Sequence, residues 1–270
     1  MSDGPNTGVM GPPPFDWSLG EYERTAAALA PAAAHAVRRA GLTGRETVLD
    51  LGCGTGNASL LAARTGATVT GLDGASRLLA VARDRVAAEG LTASFVEGDF
   101  HSLDFADESF DVVLSVFGVI FGDPSRVLPE ILRVLRPGGR AVLTAWLPEG
   151  PIHSYIGGIV GLFAEAMGMP FPPPFPWSEP AALRPFLEPA GWRVTSEDGS
   201  VAFVGESPEA FLAEQEAYAP PAVSTRGLVE HFGLAPRIRE QSLAILRAGN
   251  EDPAAFRVTS PYRVLELSSS

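Results

Sequence analysis

Between Val48 and Asn57 the chain reads Val-Leu-Asp-Leu-Gly-Cys-Gly-Thr-Gly-Asn, an apolar run that breaks into alternate glycines and resumes as a helix former. No other segment constrains the fold as tightly. A strand that turns through glycines into a helix leaves backbone N–H groups open to close approach by a ligand, and such a unit needs neighbours that repeat it. The neighbours are there. Strand-like runs at Thr47–Leu51, Thr68–Leu72, Ala93–Glu97, Phe110–Val116 and Arg140–Trp146 alternate with helical stretches at Asn57–Thr65, Ala75–Glu89 and Pro124–Leu135. This rhythm predicts a parallel sheet covered on both faces. Phe110–Val116 is almost wholly apolar, as a strand buried on both faces should be. Asp123-Pro124 supplies a cap and a first-turn proline for the helix that follows, and Pro129 should bend it. Ahead of the unit, residues 19–40 read as a helix kinked at Pro31 and stopped by Gly41.

After Trp146 the rhythm changes. An apolar helix at Tyr155–Met167 precedes a Pro/Phe-rich loop ending Phe-Pro-Pro-Pro-Phe-Pro-Trp177. A helix at Pro180–Pro189 and a strand at Trp192–Ser196 rejoin the sheet pattern; residues 207–250 read as helical, and Phe256–Leu267 as a last strand. The organisation expected is a leader with lid helices over residues 1–40, then one α/β domain over 41–270. Insertions at about 147–178 and 207–250 would form a helical cap.

Composition narrows the function. The 270 residues carry a formal charge of −12, 46% are hydrophobic and 19% charged. Such a chain can bury a full core, and its acidity lacks the footprint for phosphate backbones, so no nucleic-acid partner is expected. No basic n-region or bilayer-length apolar run is visible, which points to no membrane partner and a cytoplasmic location. The one cysteine, Cys53, excludes an internal disulfide and a cysteine-based zinc site, and no metal site is expected. Every basic residue is Arg; without Lys, Schiff-base chemistry is excluded.

The glycine turn has acidic company. Asp50 precedes it and Asp73 ends the next strand, where a carboxylate can meet a ribose diol. A dinucleotide fingerprint wants Gly-x-Gly-x-x-Gly, but the third glycine position holds Asn57. A carboxylate beside the turn repels a pyrophosphate and attracts an ammonium or sulfonium. That combination suits S-adenosylmethionine.

Residues 47–146 resemble the class I S-adenosylmethionine-dependent methyltransferases, in the branch of quinone-biosynthesis and natural-product enzymes. VLDLGCGTGN matches the family's first motif, VTGLD (Val69–Asp73) the second, VEGDF (Val96–Phe100) the adenine-binding segment, FDVVLS (Phe110–Ser115) the fourth strand and LRPGGR (Leu135–Arg140) the turn before the fifth. The resemblance implies a Rossmann-like fold with a mostly parallel seven-stranded sheet, helices on both faces and a helical substrate-binding cap. It also implies S-adenosyl-L-methionine as cofactor and S-adenosyl-L-homocysteine as product. Carried over by position, Gly52, Cys53, Gly54, Gly56 and Asn57 would present the loop to the methionine portion. Asp50 would orient the loop or reach the amino group through water. Asp73 would accept both ribose hydroxyls; Asp99 would accept the adenine amine, with Phe100 alongside. Ser115 would lie by the methionine moiety, and Tyr22 would act as a lid residue. Cys53 has a second reading as a small packing residue, Asp73 as a helix cap and Asp99 as a turn residue.

The acceptor site should open at the carboxyl ends of strands four and five. Trp146, Phe163, Phe171, Phe175, Trp177, Phe211 and Phe232 suggest an apolar, ring-containing small molecule. His153 is the best-placed base, ahead of His101 and His231, with His35 read as structural; Tyr155 and Glu165 remain open, as does catalysis with no base. The expected activity is methyl transfer to a small apolar metabolite in natural-product biosynthesis. The alternatives are an S-adenosylmethionine-binding protein without that activity and, behind it, an NAD(P)-dependent oxidoreductase. Oligomeric state stays open, a homodimer being one option. Phe15 and Trp17 are expected to help residues 1–18 close over a filled site.

Overall fold

Apolar runs rich in β-branched residues become the strands, and glycine turns fix where each one ends. The computed structural model describes residues 15–269, so what was expected of residues 1–14 lies outside the described residues. The strands are β1 (Thr47–Leu51), β2 (Thr68–Asp73), β3 (Ser94–Glu97), β4 (Phe110–Val116), β5 (Leu135–Trp146), β6 (Trp192–Gly205) and β7 (Phe256–Ser269). They form a seven-stranded sheet in the order β3-β2-β1-β4-β5-β7-β6. β1 lies parallel to β2 and β4, β2 to β3, and β4 to β5, while β7 runs antiparallel between β5 and β6. The order reverses between β1 and β4, which opens a crevice at their carboxyl ends.

Helices α1 (Tyr22–Ala40) and α2 (Asn57–Arg64) cover one face, and α4 (Pro124–Val134) and α6 (Pro180–Leu187) the other. Helix α3 (Ser76–Ala88) closes a smaller cluster with Cys53, Leu60 and Phe95. Helix α1 buries Leu29, Ala32, Ala33, Ala36, Val37 and Ala40, a helical stripe whose small side chains let its axis approach the sheet. Pro31 does not break it: the helix runs through, with the proline on its exposed side. Helices α5 (Pro151–Ala166), α7 (Pro208–Tyr218), α8 (Pro220–His231) and α9 (Ala235–Ala248) follow. They bury two further clusters, one around Phe211, Leu212, Leu246 and Phe256, the other around Leu162, Phe163, Leu234 and Ile238.

Most boundaries fall within a few residues of the sequence reading, and three differences have a clear physical reason. β5 starts at Leu135, taking the Arg-Pro-Gly-Gly turn into the strand through a register shift opposite Phe110. β6 continues to Gly205 because all fourteen of its residues pair with β7, so even the polar Ser-Glu-Asp-Gly stretch finds ladder partners. His153 sits in the first turn of α5 rather than in a loop, since Pro151 can start a helix there. Among the described residues no helix is long and apolar enough to cross a membrane.

Candidate functional site

The glycine turn joins β1 to α2 at the crevice, and its backbone is held from three sides. Gly52 and Gly54 have φ of 64° and 54°, a conformation that L side chains rarely adopt. Space forbids a side chain as well. A Cβ on Gly52 would lie 2.7 Å from Gly118 Cα, and one on Gly54 would lie 3.0 Å from Tyr22 Cε1. Asp73, at the carboxyl end of β2, accepts from Gly54 N–H at 2.8 Å with one oxygen and from Ala75 N–H at 2.8 Å with the other. Burial raises its carboxyl above the usual range, opposed by the backbone N–H groups of Ala75, Gly54 and Gly74. Each Asp73 oxygen keeps acceptor capacity for one more donor.

Above the turn lies an aromatic roof. Tyr22, the first residue of α1, meets Trp17 edge-on at 5.7 Å between ring centroids, and Trp17 packs at 5.0 Å on Phe121, which follows β4. Polar ties hold the leader here. Arg77 Nε donates to Ser18 O at 2.8 Å and pairs with Glu23, Asp16 N–H donates to Ser224 Oγ at 3.0 Å, and Glu21 N–H donates to Tyr218 O at 2.8 Å. Burial, then the carboxylate of Asp73, pushes the Tyr22 phenol up, so it stays protonated. The sequence marks Trp17 as an anchor and Phe121 equally as core or substrate wall, but not their contact, because nothing local links two residues 104 positions apart.

At the end of β3, Asp99 Oδ1 accepts from His101 N–H at 2.9 Å and bonds His101 Nδ1 at 2.6 Å. The first of these is the main cause that holds the Asp99 carboxyl below its usual value. His101 Nε2 in turn accepts from Asp123 N–H at 3.0 Å, so the proton of the neutral ring resides on Nδ1. His101 therefore clips the β3 loop to the start of α4, which takes it out of contention as a base. Among the described residues no donor reaches Asp99 Oδ2, which is exposed beside the partly buried Phe100 ring.

Three residues expected at the cofactor have side chains engaged within the protein. Ser115 is fully buried; its Oγ donates to Leu51 O at 2.7 Å and accepts from Val119 N–H at 3.1 Å. Asn57 donates to Ala26 O at 2.7 Å and accepts from Arg85 at 2.9 Å, joining α1, α2 and α3. Asp50 faces inward at 1% exposure and accepts from Ser59 Oγ at 2.6 Å, which ties β1 to α2 across the turn. The Cys53 thiol packs among Leu60, Leu79 and Phe95, and burial raises it far above its ordinary value. His153 is exposed at the entry of α5, and His231 at the end of α8.

Comparison with known proteins bears directly on this crevice. The family profile described as "Methyltransferase domain" matches residues 48–139. An uncharacterised Mycobacterium tuberculosis protein, Rv1405c, is 41% identical over 136 residues, half of each chain, and this chain spans about half the length of the first curated relatives it matches. The demethylmenaquinone methyltransferase of Thermus thermophilus is 35% identical over 194 residues, 70% of this chain and 79% of that one. The chain belongs to the class I S-adenosylmethionine-dependent methyltransferases. The fold of this family member also matches the YcgJ protein of Bacillus subtilis, with a TM-score of 0.61 over 88% of this chain and 98% of that one at 15% identity.

The family implies S-adenosylmethionine, and the residues of this methyltransferase family member fit it. The glycine turn after β1, spare acceptors on Asp73 at the end of β2 and a free oxygen on Asp99 just after β3 stand at the carboxyl ends of three adjacent strands, the chemistry that a nucleoside with an amino-acid tail requires. Among the described residues no cluster of three or more His, Cys, Asp or Glu is placed to hold a metal.

The buried Asp50 sets a stability prediction. Burial, partly offset by Ser59 and reinforced by Asp73, raises its carboxyl to about 6 from an ordinary 3.8. A raised carboxyl favours the protonated folded state. Its contribution is complete below the unfolded value and is lost as pH rises through about 6. Asp50→Asn keeps an acceptor for Ser59 without the charge. In urea titrations without ligand, the variant should be about 2–3 kcal/mol more stable than the parent at pH 8, with the gain vanishing near pH 4. An equal difference at both pH values would refute this.

Proposed function

We propose that the chain transfers the methyl group of S-adenosylmethionine to a small, largely apolar metabolite, in the cytoplasm and in natural-product biosynthesis. The observation that carries this reading is the glycine turn, packed against Gly118 and Tyr22 and bonded to Asp73, whose carboxylate keeps acceptor capacity beside the turn for a ribose diol. When bound there, S-adenosylmethionine supplies a methyl carbon already activated by a sulfonium. The chain's own residues then have three tasks. Asp73 would receive the ribose hydroxyls and Asp99 Oδ2 the adenine amine, which fixes the direction of the methyl. The roof of Trp17, Tyr22 and Phe121 would exclude water from the reacting line. Aligning acceptor and methyl within contact distance supplies most of the acceleration, because displacement at an activated carbon needs little else.

Apolar surface around the crevice supports an apolar acceptor. Phe121, after β4, is 56% exposed, and Trp146 is partly exposed at the carboxyl end of β5. The Thermus relative carries a quinone in its name, an acceptor of the same kind. Calorimetry with S-adenosylhomocysteine, S-adenosylmethionine and NAD(P) tests the cofactor; binding of NAD(P) alone would overturn the reading. Labelled-methyl incorporation into small molecules of a bacterial extract tests the transfer itself, and cofactor binding without incorporation would favour a binding protein.

His153 is the proposed base where the acceptor must lose a proton. His153→Ala should leave S-adenosylmethionine affinity unchanged and lower kcat by about 10²–10⁴-fold at pH 7, less at high pH where the acceptor ionises unaided. Normal turnover at pH 7 would assign catalysis to alignment alone.

A further inference from the structure

Behind the crevice runs a polar chain, buried at one end and open to water at the other, that the proposed reaction does not use. His35, on α1, bonds the Tyr262 hydroxyl through Nδ1 at 3.0 Å and Glu197 through Nε2 at 2.8 Å. With Glu197 ionised, Nε2–H donates to it and Nδ1 accepts the Tyr262 proton. The fit is tight: a Cβ on Gly199 would lie 2.6 Å from Tyr262 Cζ and 2.9 Å from His35 Nδ1. Tyr262 is 2% exposed, and its ring stands edge-on to Phe117 at 5.6 Å and to Trp146 at 6.4 Å. Those two rings stack at 3.9 Å with an interplanar angle of 6°.

Phe117 is the point at which this packing meets the cofactor slot. Its φ is 58°, a conformation a bulky residue holds only when its surroundings impose it. Its N–H donates to the buried Thr144 Oγ1 at 3.0 Å, and the next residue, Gly118, backs onto Gly52 of the glycine turn. The line Glu197–His35–Tyr262–Phe117–Gly118–Gly52 is continuous. Its outer end is wet. His35 borders an open groove of about 570 Å³ lined by Arg38, Arg39, Glu197 and Glu266, so it can exchange a proton with water while Tyr262 cannot.

We propose that His35 is a positioning residue: by accepting the Tyr262 hydroxyl proton it fixes the Phe117–Trp146 stack, and so sets how firmly the glycine turn grips the nucleoside ligand. This rests on the cofactor reading above. Protonated His35 donates through Nδ1 instead of accepting, which reverses this bond and leaves the buried Tyr262 O–H without His35 as its acceptor, so the grip loosens on acidification. The charged and titratable groups facing His35 are Glu197 from β6, Tyr262 and Glu266 from β7, and Arg38 and Arg39 on α1 itself. Arg39 pairs with Glu266 at 2.7 Å and more loosely with Glu197 at 3.5 Å.

The test is S-adenosylhomocysteine affinity by calorimetry at pH 8 and pH 5.5, for the parent, His35→Asn and Tyr262→Phe. Asn keeps an oxygen acceptor for Tyr262 and cannot be protonated; Phe removes only the hydroxyl. Asp50 and Asp73 titrate in all three proteins, so differences between profiles isolate His35. The parent should lose about fivefold more affinity on acidification than His35→Asn, the scale of one buried hydrogen bond. Tyr262→Phe should be about fivefold weaker than the parent at pH 8 and show the flatter profile. Parallel profiles in all three would overturn the proposal. So would parent-like affinity at pH 8 together with a parent-like profile in Tyr262→Phe, which as the near-isosteric variant decides the matter alone should His35→Asn not fold. A parent that does not bind S-adenosylhomocysteine at all would overturn the cofactor reading instead.

Discussion

Gly118→Ala should abolish measurable S-adenosylhomocysteine binding and destabilise the chain by about 2–4 kcal/mol. The added Cβ would lie 2.6 Å from Leu51 O and 2.9 Å from Gly52 Cα. Both are backbone atoms, Leu51 held by the β1–β2 ladder and Gly52 next to it in the turn, so no side chain can swing aside. The φ of Gly118 is −81°, which alanine adopts freely; the expected loss is therefore one of space and not of backbone conformation. Gly157→Ala is the control. A Cβ there meets nothing within 4 Å, and alanine favours a helix, so that variant should be stabilised by about 0.5–1 kcal/mol with binding unchanged. Chemical denaturation and calorimetry on both variants check the pair. Parent-like binding by Gly118→Ala would show that the turn tolerates displacement, and the slot as described would be wrong.

Asp73→Ala should weaken S-adenosylhomocysteine by about 1.5–3 kcal/mol, roughly 10–150-fold, the scale of lost charge-assisted hydrogen bonds. The effect has two sources. One is the ribose contact proposed for the spare acceptors of Asp73; the other is the N–H of Gly54, whose 2.8 Å bond to Asp73 shapes the turn. Asp73→Asn separates them, because an amide oxygen can still accept from one backbone N–H but carries no charge. It should retain most of the stability and lose most of the affinity. Burial raises the Asp73 carboxyl, so affinity in the parent should fall on acidification as that carboxyl is protonated. An alanine variant that is folded and binds normally would remove Asp73 from the site.

Much of this site is legible in the residues because its chemistry is local. Gly52 and Gly54 must be glycine for reasons their own backbone states, and Asp73 ends a strand whose neighbour carries the turn. The sequence is silent where a side chain's partner lies far along the chain. Asp50 reads as a counter-charge beside the turn, yet strand alternation points it inward to Ser59, which lies in α2. Ser115 reads as a cofactor contact, yet its hydroxyl completes the backbone of Leu51 and Val119. Asn57 serves Ala26 and Arg85 for the same reason: a buried polar group takes the nearest donor or acceptor the packing offers.

The sequence by itself determined the strand-helix order, the glycine turn and the acidic residues at the strand ends, since each follows from short-range periodicity and backbone freedom. Tertiary structure alone decided the length of β6, the roof that Trp17 and Phe121 share, and the pairing of His35 with Tyr262 across 227 positions. Those features rest on surfaces brought together only when the sheet closes β7 between β5 and β6 and lays α1 across it. No window of neighbouring residues contains both halves of such a contact, so the chain cannot announce it before it folds.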